Sequence, residues 1–177
     1  MSEHKNADAP AWAWWAATGL WSGRLRPAPG TWGSLTGWAA WLAVIYVIRL
    51  LPDAAFEFTL AAATLLLILV SVKAAGLVAR QVGDDDPSYV VCDEWAGMWI
   101  ALWPSRYKKG MDGDGWRMAF VGMLAAFLLF RLFDIWKPWP IYKLEALPGG
   151  WGITLDDVLA GLFAALALIL ANMMIGL

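Results

Sequence analysis

Five uncharged apolar stretches, 27–48, 58–72, 95–105, 118–130 and 158–177, decide what this chain can fold into. A helix that crosses a bilayer needs about 20 predominantly apolar residues, so the first and last qualify outright. The second becomes long enough if Glu57 sits at the interface. The fourth does so if its helix runs on past Arg131, with charged groups at the membrane edge or in a protein-lined cleft. The middle stretch is too short for a simple crossing and is expected to be a short, tilted or re-entrant helix. With 60% hydrophobic residues and 14 tryptophans, the 177-residue chain is far more apolar than a soluble domain. The expected fold is therefore all-α: one polytopic membrane helical bundle over 1–177, with about five apolar helices. Residues 1–13 are expected to be a tail, and the tryptophan-rich segment that they enter is expected to lie at the interface.

Several functions are excluded by what the chain lacks. A formal charge of -2 provides no basic surface for nucleic acid. A single cysteine, Cys92, and a single histidine, His4, rule out an internal disulfide and a Cys/His zinc site. Cys92 as a phosphatase nucleophile would need arginine where Met98 stands, so it reads as a small apolar thiol. Glu3 and Asp8 precede "APAWAWWAATGLW" and no small-residue cleavage site follows, so that segment is expected to be uncleaved.

The unusual polar residues fall in four segments: "RLRPAPGTWGS", "DDDPSYVVCDE", "RLFDIWKPWP" and "GGWGITLDD". If all five stretches cross, all four segments lie on one face of the membrane. That face would carry Lys5, Arg24, Arg26, Lys73, Arg80, Arg131, Lys137 and Lys143, against Arg49, Arg106, Lys108, Lys109 and Arg117 on the other. The excess of basic residues favours a cytoplasmic location for the polar face, with "SRYKKGMDGDGWR" as the dissenting loop. The Asp112-x-Asp114 spacing in that loop is that of an aspartyl-phosphate motif, but it opens a helical run instead of closing a strand, and a turn explains it better.

Adjacent carboxylates at Asp93 and Glu94, inside "VVCDEWAGMWIALW", are the least expected residues. On a helix they lie about 100° apart, with Gly97 near both, which leaves a patch without Cβ for an ion or ligand. Unpaired carboxylates in an apolar setting are costly, so they are expected to be protonated, metal-bound, or paired with Arg131 or Lys137. Arg131, Asp134 and Lys137 recur every third residue before Pro138 and Pro140, a pattern for a phosphate and metal edge or for interfacial anchoring beside Trp136 and Trp139. Thr154 and Asp157 have the spacing of a capping box, whereas Asp156 and Asp157 together could turn toward Asp93. Asp86 before Pro87 has the form of a helix N-cap or, alternatively, of a ligand, while Asp84 and Asp85 read as solvated. In "PAPGTWGS", Gly30 and Gly33 free the backbone to approach an anion to which Thr31, Ser34 and Arg24 could donate. Hard oxygen ligands without histidine or cysteine suit Mg²⁺ better than zinc, with phosphate as the natural co-ligand.

At these same residues the chain resembles the phosphatidylglycerophosphatase A family of bacterial membrane lipid phosphatases. The matching pieces are "PGTWGSL", "DPSYVVCDEWAGMWI", "FRLFDIWKPWPI" and "GGWGITLDDVLAG", in the family's order. The resemblance implies Mg²⁺-dependent hydrolysis of phosphatidylglycerophosphate to phosphatidylglycerol in the inner membrane, with a phospholipid as the partner. It carries a metal and catalytic role to Asp86, Asp93, Glu94, Asp134, Asp156 and Asp157, with Arg131 and Lys137 as basic partners. A competing expectation is a small transporter, because intramembrane carboxylates also mark ion pathways. Transporters commonly contain repeated halves, and this sequence shows none.

Overall fold

The computed structural model describes residues 8–105 and 113–175. These form α1 (Ala11–Ala17), α2 (Pro29–Ile48), α3 (Asp53–Val82), α4 (Cys92–Leu102), α5 (Gly113–Trp136), α6 (Ile141–Leu144) and α7 (Gly150–Ile175), with 3₁₀ turns at Ser22–Arg24 and Trp103–Ser105. No strand occurs among the described residues. Four helices, α2, α3, α5 and α7, are long and apolar enough to cross a membrane. Their outward faces are apolar too: Val47, Phe58, Leu128 and Met173 are all exposed, as expected of helices whose solvent is hydrocarbon.

The second helix of this set is longer than its uncharged run. α3 covers 30 residues and takes in Glu57, Lys73 and Arg80. Pro52 precedes it, and Gly83 at φ 69° ends it with a backbone N–H bond to Ala79 O of 2.9 Å. α5 continues past Arg131 to Trp136, as expected.

α4 is the short middle helix, with 11 residues. It is packed against α2, α3, α5 and α7, and Ala96, Met98, Ala101 and Leu102 have no exposed surface. Small residues permit this close packing. A Cβ on Gly97 would stand 2.5 Å from both the Asp157 backbone oxygen and Phe130 Cε2, and one on Gly161 would lie 3.1 Å from Gly97 Cα. The Cβ-free patch expected beside Asp93 and Glu94 is therefore filled by the α7 backbone. Gly97 makes room for a helix, not for an ion.

The tail expected over 1–13 is corrected for its second half. The Ala9 N–H and the Trp14 indole N–H both donate to Gln81 Oε1, each at 3.0 Å. Ala13 and Ala17 are fully buried beside Ala74, Ala75 and Val78 of α3, while Trp12 and Trp15 face outward. An alanine face toward the bundle and a tryptophan face away from it is the pattern of an interfacial helix. Residues 1–7 and the loop 106–112, with His4, Lys5 and Asp112, lie outside the described residues, as does the side chain of Asp114.

The four polar segments do converge. Gly30 at the start of α2 meets Glu94 at the start of α4 and Arg131 near the end of α5, and Gly76 of α3 lies against Gly150 at the start of α7.

Candidate active site

The first turn of α4 is fixed from outside by the Val91 N–H, which donates to Ala17 O at 2.7 Å. This turn carries Asp93, whose Oδ1 accepts the Glu94 N–H at 3.0 Å. The glycine crossing brings α7 against it, so that carboxyl oxygens of Asp93, Glu94 and Asp157 lie within 4.8 Å of one another. Asp93 and Asp157 are buried, and Glu94 Oε2 is buried with no hydrogen-bond partner. Three carboxyl groups gathered without a paired cation are costly unless protons or a cation join them.

The cations flank this cluster and are engaged elsewhere. Arg131 Nη1 is 2.6 Å from Asp134 Oδ2 and donates to Ser34 Oγ at 3.4 Å, while its Nε is buried without a partner. Lys137 Nζ is 2.7 Å from Asp156 Oδ2 and also pairs with Glu145. Pairing of Asp93 or Glu94 with these two residues, the structural alternative at the sequence level, is thus not what either cation does. Gly30 has a definite task here: a Cβ on it would collide with Glu94 Oε1 and approach Arg131 Nη1 to 3.2 Å. Gly33, by contrast, accommodates Val91, 2.7 Å from where its Cβ would be.

Lys137 lies just beyond α5 in a left-handed conformation, φ 45°, with its N–H on Phe133 O at 2.8 Å. That backbone region costs a residue with a side chain roughly 1–2 kcal/mol. It turns the lysine out of the helical three-residue row and toward Asp156. Partial burial lowers the Lys137 pKa, but hydrogen bonds and charges from Asp156 and Glu145 outweigh it and leave the ammonium well above its ordinary value.

Two local expectations fail. α7 begins at Gly150, so Thr154 and Asp157 lie inside it; Thr154 Oγ1 is 2.9 Å from Ser71 Oγ, and no capping box forms. No helix starts at Pro87 either: the Val90 N–H closes a turn on Pro87 O at 2.8 Å, and α4 begins at Cys92. Asp86 instead borders an open cleft of about 450 Å³ that it shares with Asp85, Glu145, Gly149, Gly152 and Asp156. Its carboxyl is pushed above its usual range, first by desolvation and then by Glu145, Asp84 and Asp134, against the pull of Lys137.

The remaining candidates are spread more widely. Thr31 is half-buried on the first turn of α2. Arg24 is exposed, with its guanidinium 3.9 Å above the Trp21 ring, and the Ser34 hydroxyl also donates to Gly30 O at 2.8 Å. Cys92 is buried, 3.2 Å from Ser71 Oγ, as a packed thiol. Glu145 was not foreseen: it stands eight residues beyond Lys137, past two prolines, and no spacing rule links them.

Fold and site together define a polytopic membrane protein built around an acidic cleft at one end of its helices. The family profile described as Phosphatidylglycerophosphatase A matches residues 15–172. The chain belongs to the phosphatidylglycerophosphatase A family and is a membrane phospholipid phosphatase. A putative phosphatidylinositol-3-phosphatase of Bacteroides thetaiotaomicron is 39% identical over 90% of this chain and 92% of its own. Phosphatidylglycerophosphatase A of Haemophilus influenzae is 39% identical over 85% and 82%, and that of Escherichia coli 33% identical over 84% and 77%, respectively. No solved structure matches the chain.

Proposed function

We propose that the protein hydrolyses phosphatidylglycerophosphate to phosphatidylglycerol and inorganic phosphate, with Mg²⁺, at the cytoplasmic face of a bacterial inner membrane. The observation that carries this proposal is the gathering of Asp93, Glu94 and Asp157 within 4.8 Å, between two cations. Three hard oxygen donors, one of them an orphaned buried carboxylate oxygen, fit a small divalent ion; Asp156 and Asp86, which border the cleft, and Asp134, paired with Arg131, extend the acidic set. When bound, such an ion neutralises phosphate charge and makes water a better nucleophile.

The chain's own residues supply the rest. Arg131 and Lys137 orient the anionic oxygens of the monoester, and the Ser34 hydroxyl, already within reach of Arg131, adds a donor. Asp134, held by Arg131, accepts a proton from the attacking water as the new P–O bond forms. The bond to the glycerol oxygen breaks, that oxygen takes a proton from solvent as the alcohol leaves, and Asp134 returns its proton to solvent. The site's position at helix ends lets a lipid keep its acyl chains in the bilayer while its headgroup reaches the carboxylates. Relatives named phosphatidylglycerophosphatase A and putative phosphatidylinositol-3-phosphatase support a phospholipid substrate.

The test is phosphate release by purified protein in mixed micelles containing phosphatidylglycerophosphate, phosphatidylinositol 3-phosphate, phosphatidic acid or soluble glycerol 3-phosphate. The first should have the largest specificity constant. A preference for the inositol lipid or phosphatidic acid would reassign the substrate, equal use of glycerol 3-phosphate would remove recognition at membrane depth, and no release from any compound would defeat the proposed reaction.

A further inference from the structure

Beyond the acidic cluster, α2 and α5 frame a second feature. They run side by side from the Ser34–Arg131 hydrogen bond downward, yet they meet through side chains with little close backbone approach. Trp38 bridges this seam, with its ring centroid 6.0 Å from Phe127 and 6.2 Å from Phe120. Further along, the seam opens into a cavity of about 410 Å³ whose lining is mainly apolar, with Trp41, Leu42, Ile45, Ala119 and Met123 along it and Tyr46 and Arg49 closing its far end.

The depth of this cavity matches a lipid chain. From Ser34 to Ile45 is eleven residues of α2, about 16 Å at the helical rise of ~1.5 Å per residue. Half of a bilayer's hydrocarbon core is about 15 Å. A lipid with its headgroup at Arg131 and Ser34 therefore ends its chain at the level of the cavity. The side chains along that depth are aliphatic or aromatic, and the charged groups stand at its two ends: the Arg131 guanidinium beside Ser34 at the upper one, and Arg49, 3.5 Å over the Tyr46 ring, at the lower one, beyond the level that the chain reaches.

We propose that the α2–α5 seam is an acyl-chain groove for the lipid substrate, with the chain laid over Trp38 and its methyl end in the cavity beside Ala119 and Met123. The proposal rests on the phospholipid monoesterase activity proposed above. Because the chain leaves hydrocarbon for hydrocarbon, the groove gains little from hydrophobic transfer. What it supplies is orientation: a seated chain fixes the rotation and depth of the headgroup before reaction.

Two measurements test this. In mixed micelles of constant composition, specificity constants are compared for dioctanoyl and dipalmitoyl phosphatidylglycerophosphate, using wild type, Ala119→Phe and Leu42→Phe, the last as a milder filling of the same cavity. The long-to-short ratio should exceed one in the wild type and fall at least about fivefold in the filled variants, whereas general damage lowers both constants and leaves the ratio unchanged. In parallel, a palmitoyl analogue with a diazirine at its chain terminus should crosslink to residues 41–46 or 115–123. An unchanged ratio in both variants, or crosslinks confined to α3 or α7, would overturn the groove. Failure of the wild type to release phosphate from either chain length would instead defeat the proposed activity, and the crosslink positions would still decide the groove.

Discussion

Gly97 of α4 lies so close to Asp157 of α7 that a Cβ on the glycine would stand 2.5 Å from the aspartate's backbone oxygen. This crossing sets the distance between the two halves of the carboxylate cluster, because Asp93 and Glu94 ride on one helix and Asp157 on the other.

Gly97→Ala should therefore impair both stability and turnover. The added methyl also meets Phe130 Cε2 at 2.5 Å, so the helices must separate. Overpacking of this kind costs about 1–3 kcal/mol. A drop in thermal stability with at least about a tenfold loss of turnover is expected. A variant with wild-type stability and rate would show that the crossing tolerates a side chain and does not set the site.

Asp93→Asn, Glu94→Gln and Asp157→Asn should each lower turnover by about a hundredfold or more, as loss of a metal ligand does in comparable sites. Thermal stability should hold or rise, since each change removes a buried charge from a crowded acidic cluster. Circular dichroism and phosphate release on the same preparations make the check. A folded Asp157→Asn enzyme with full activity would return that residue to a structural role.

Excess chelator should abolish phosphate release and added Mg²⁺ should restore it, given that the described cluster offers only oxygen donors. Undiminished turnover in EDTA would defeat the metal assignment.

Lys137 is expected to stay charged well into the alkaline range. Its raised pKa means that its stabilising charge is fully present below the ordinary lysine value and is lost only as pH rises past the raised one. Lys137→Gln leaves Asp156 and Glu145 without their shared cation and should cost about 1–3 kcal/mol. The gap in melting temperature between wild type and variant should be constant from about pH 7 to pH 9. A gap that closes across that interval would mean that the lysine loses its proton below its ordinary value, the opposite of the shift its two carboxylate partners impose.

Cysteines placed at Ser88 and Tyr142, both exposed at the acidic end, should react with an impermeant reagent from one side of the membrane. One at Leu50, which is 76% exposed between α2 and α3, should react from the other. With the proposed orientation, the Leu50 position is labelled in intact cells after the outer membrane is opened. Labelling of all three from a single side contradicts α2 as a crossing helix.

Much of this architecture was legible because hydrocarbon imposes a simple rule: uncharged runs and their flanks marked the long helices. The convergence of the polar segments was expected from five crossings, whereas four helices are long and apolar enough to cross and α4 has only 11 residues. The acids were legible too, since Asp93 and Glu94 stand out among tryptophans and aliphatics. Local signals misled where tertiary packing decided the outcome. Thr154 and Asp157 have a cap's spacing, yet α7 starts four residues before Thr154, at Gly150, and Ser71 takes up the Thr154 hydroxyl. Gly97 looked like empty space because a sequence does not say which helix will fill it. Glu145 was invisible for a different reason: its link to Lys137 depends on a left-handed turn that a lysine is not expected to make.

The brevity of α4 also bears on how the protein is made. Eleven residues with two carboxylates in their first turn are a poor candidate for insertion into a bilayer on their own. α4 is shielded on all sides only once α5 and α7, which follow it during synthesis, have taken their places. Assembly of the acidic centre and burial of α4 are therefore one event, completed as α7 docks. A chain halted before α7 would lack both Asp157, the third carboxylate of the cluster, and the helix that covers Gly97.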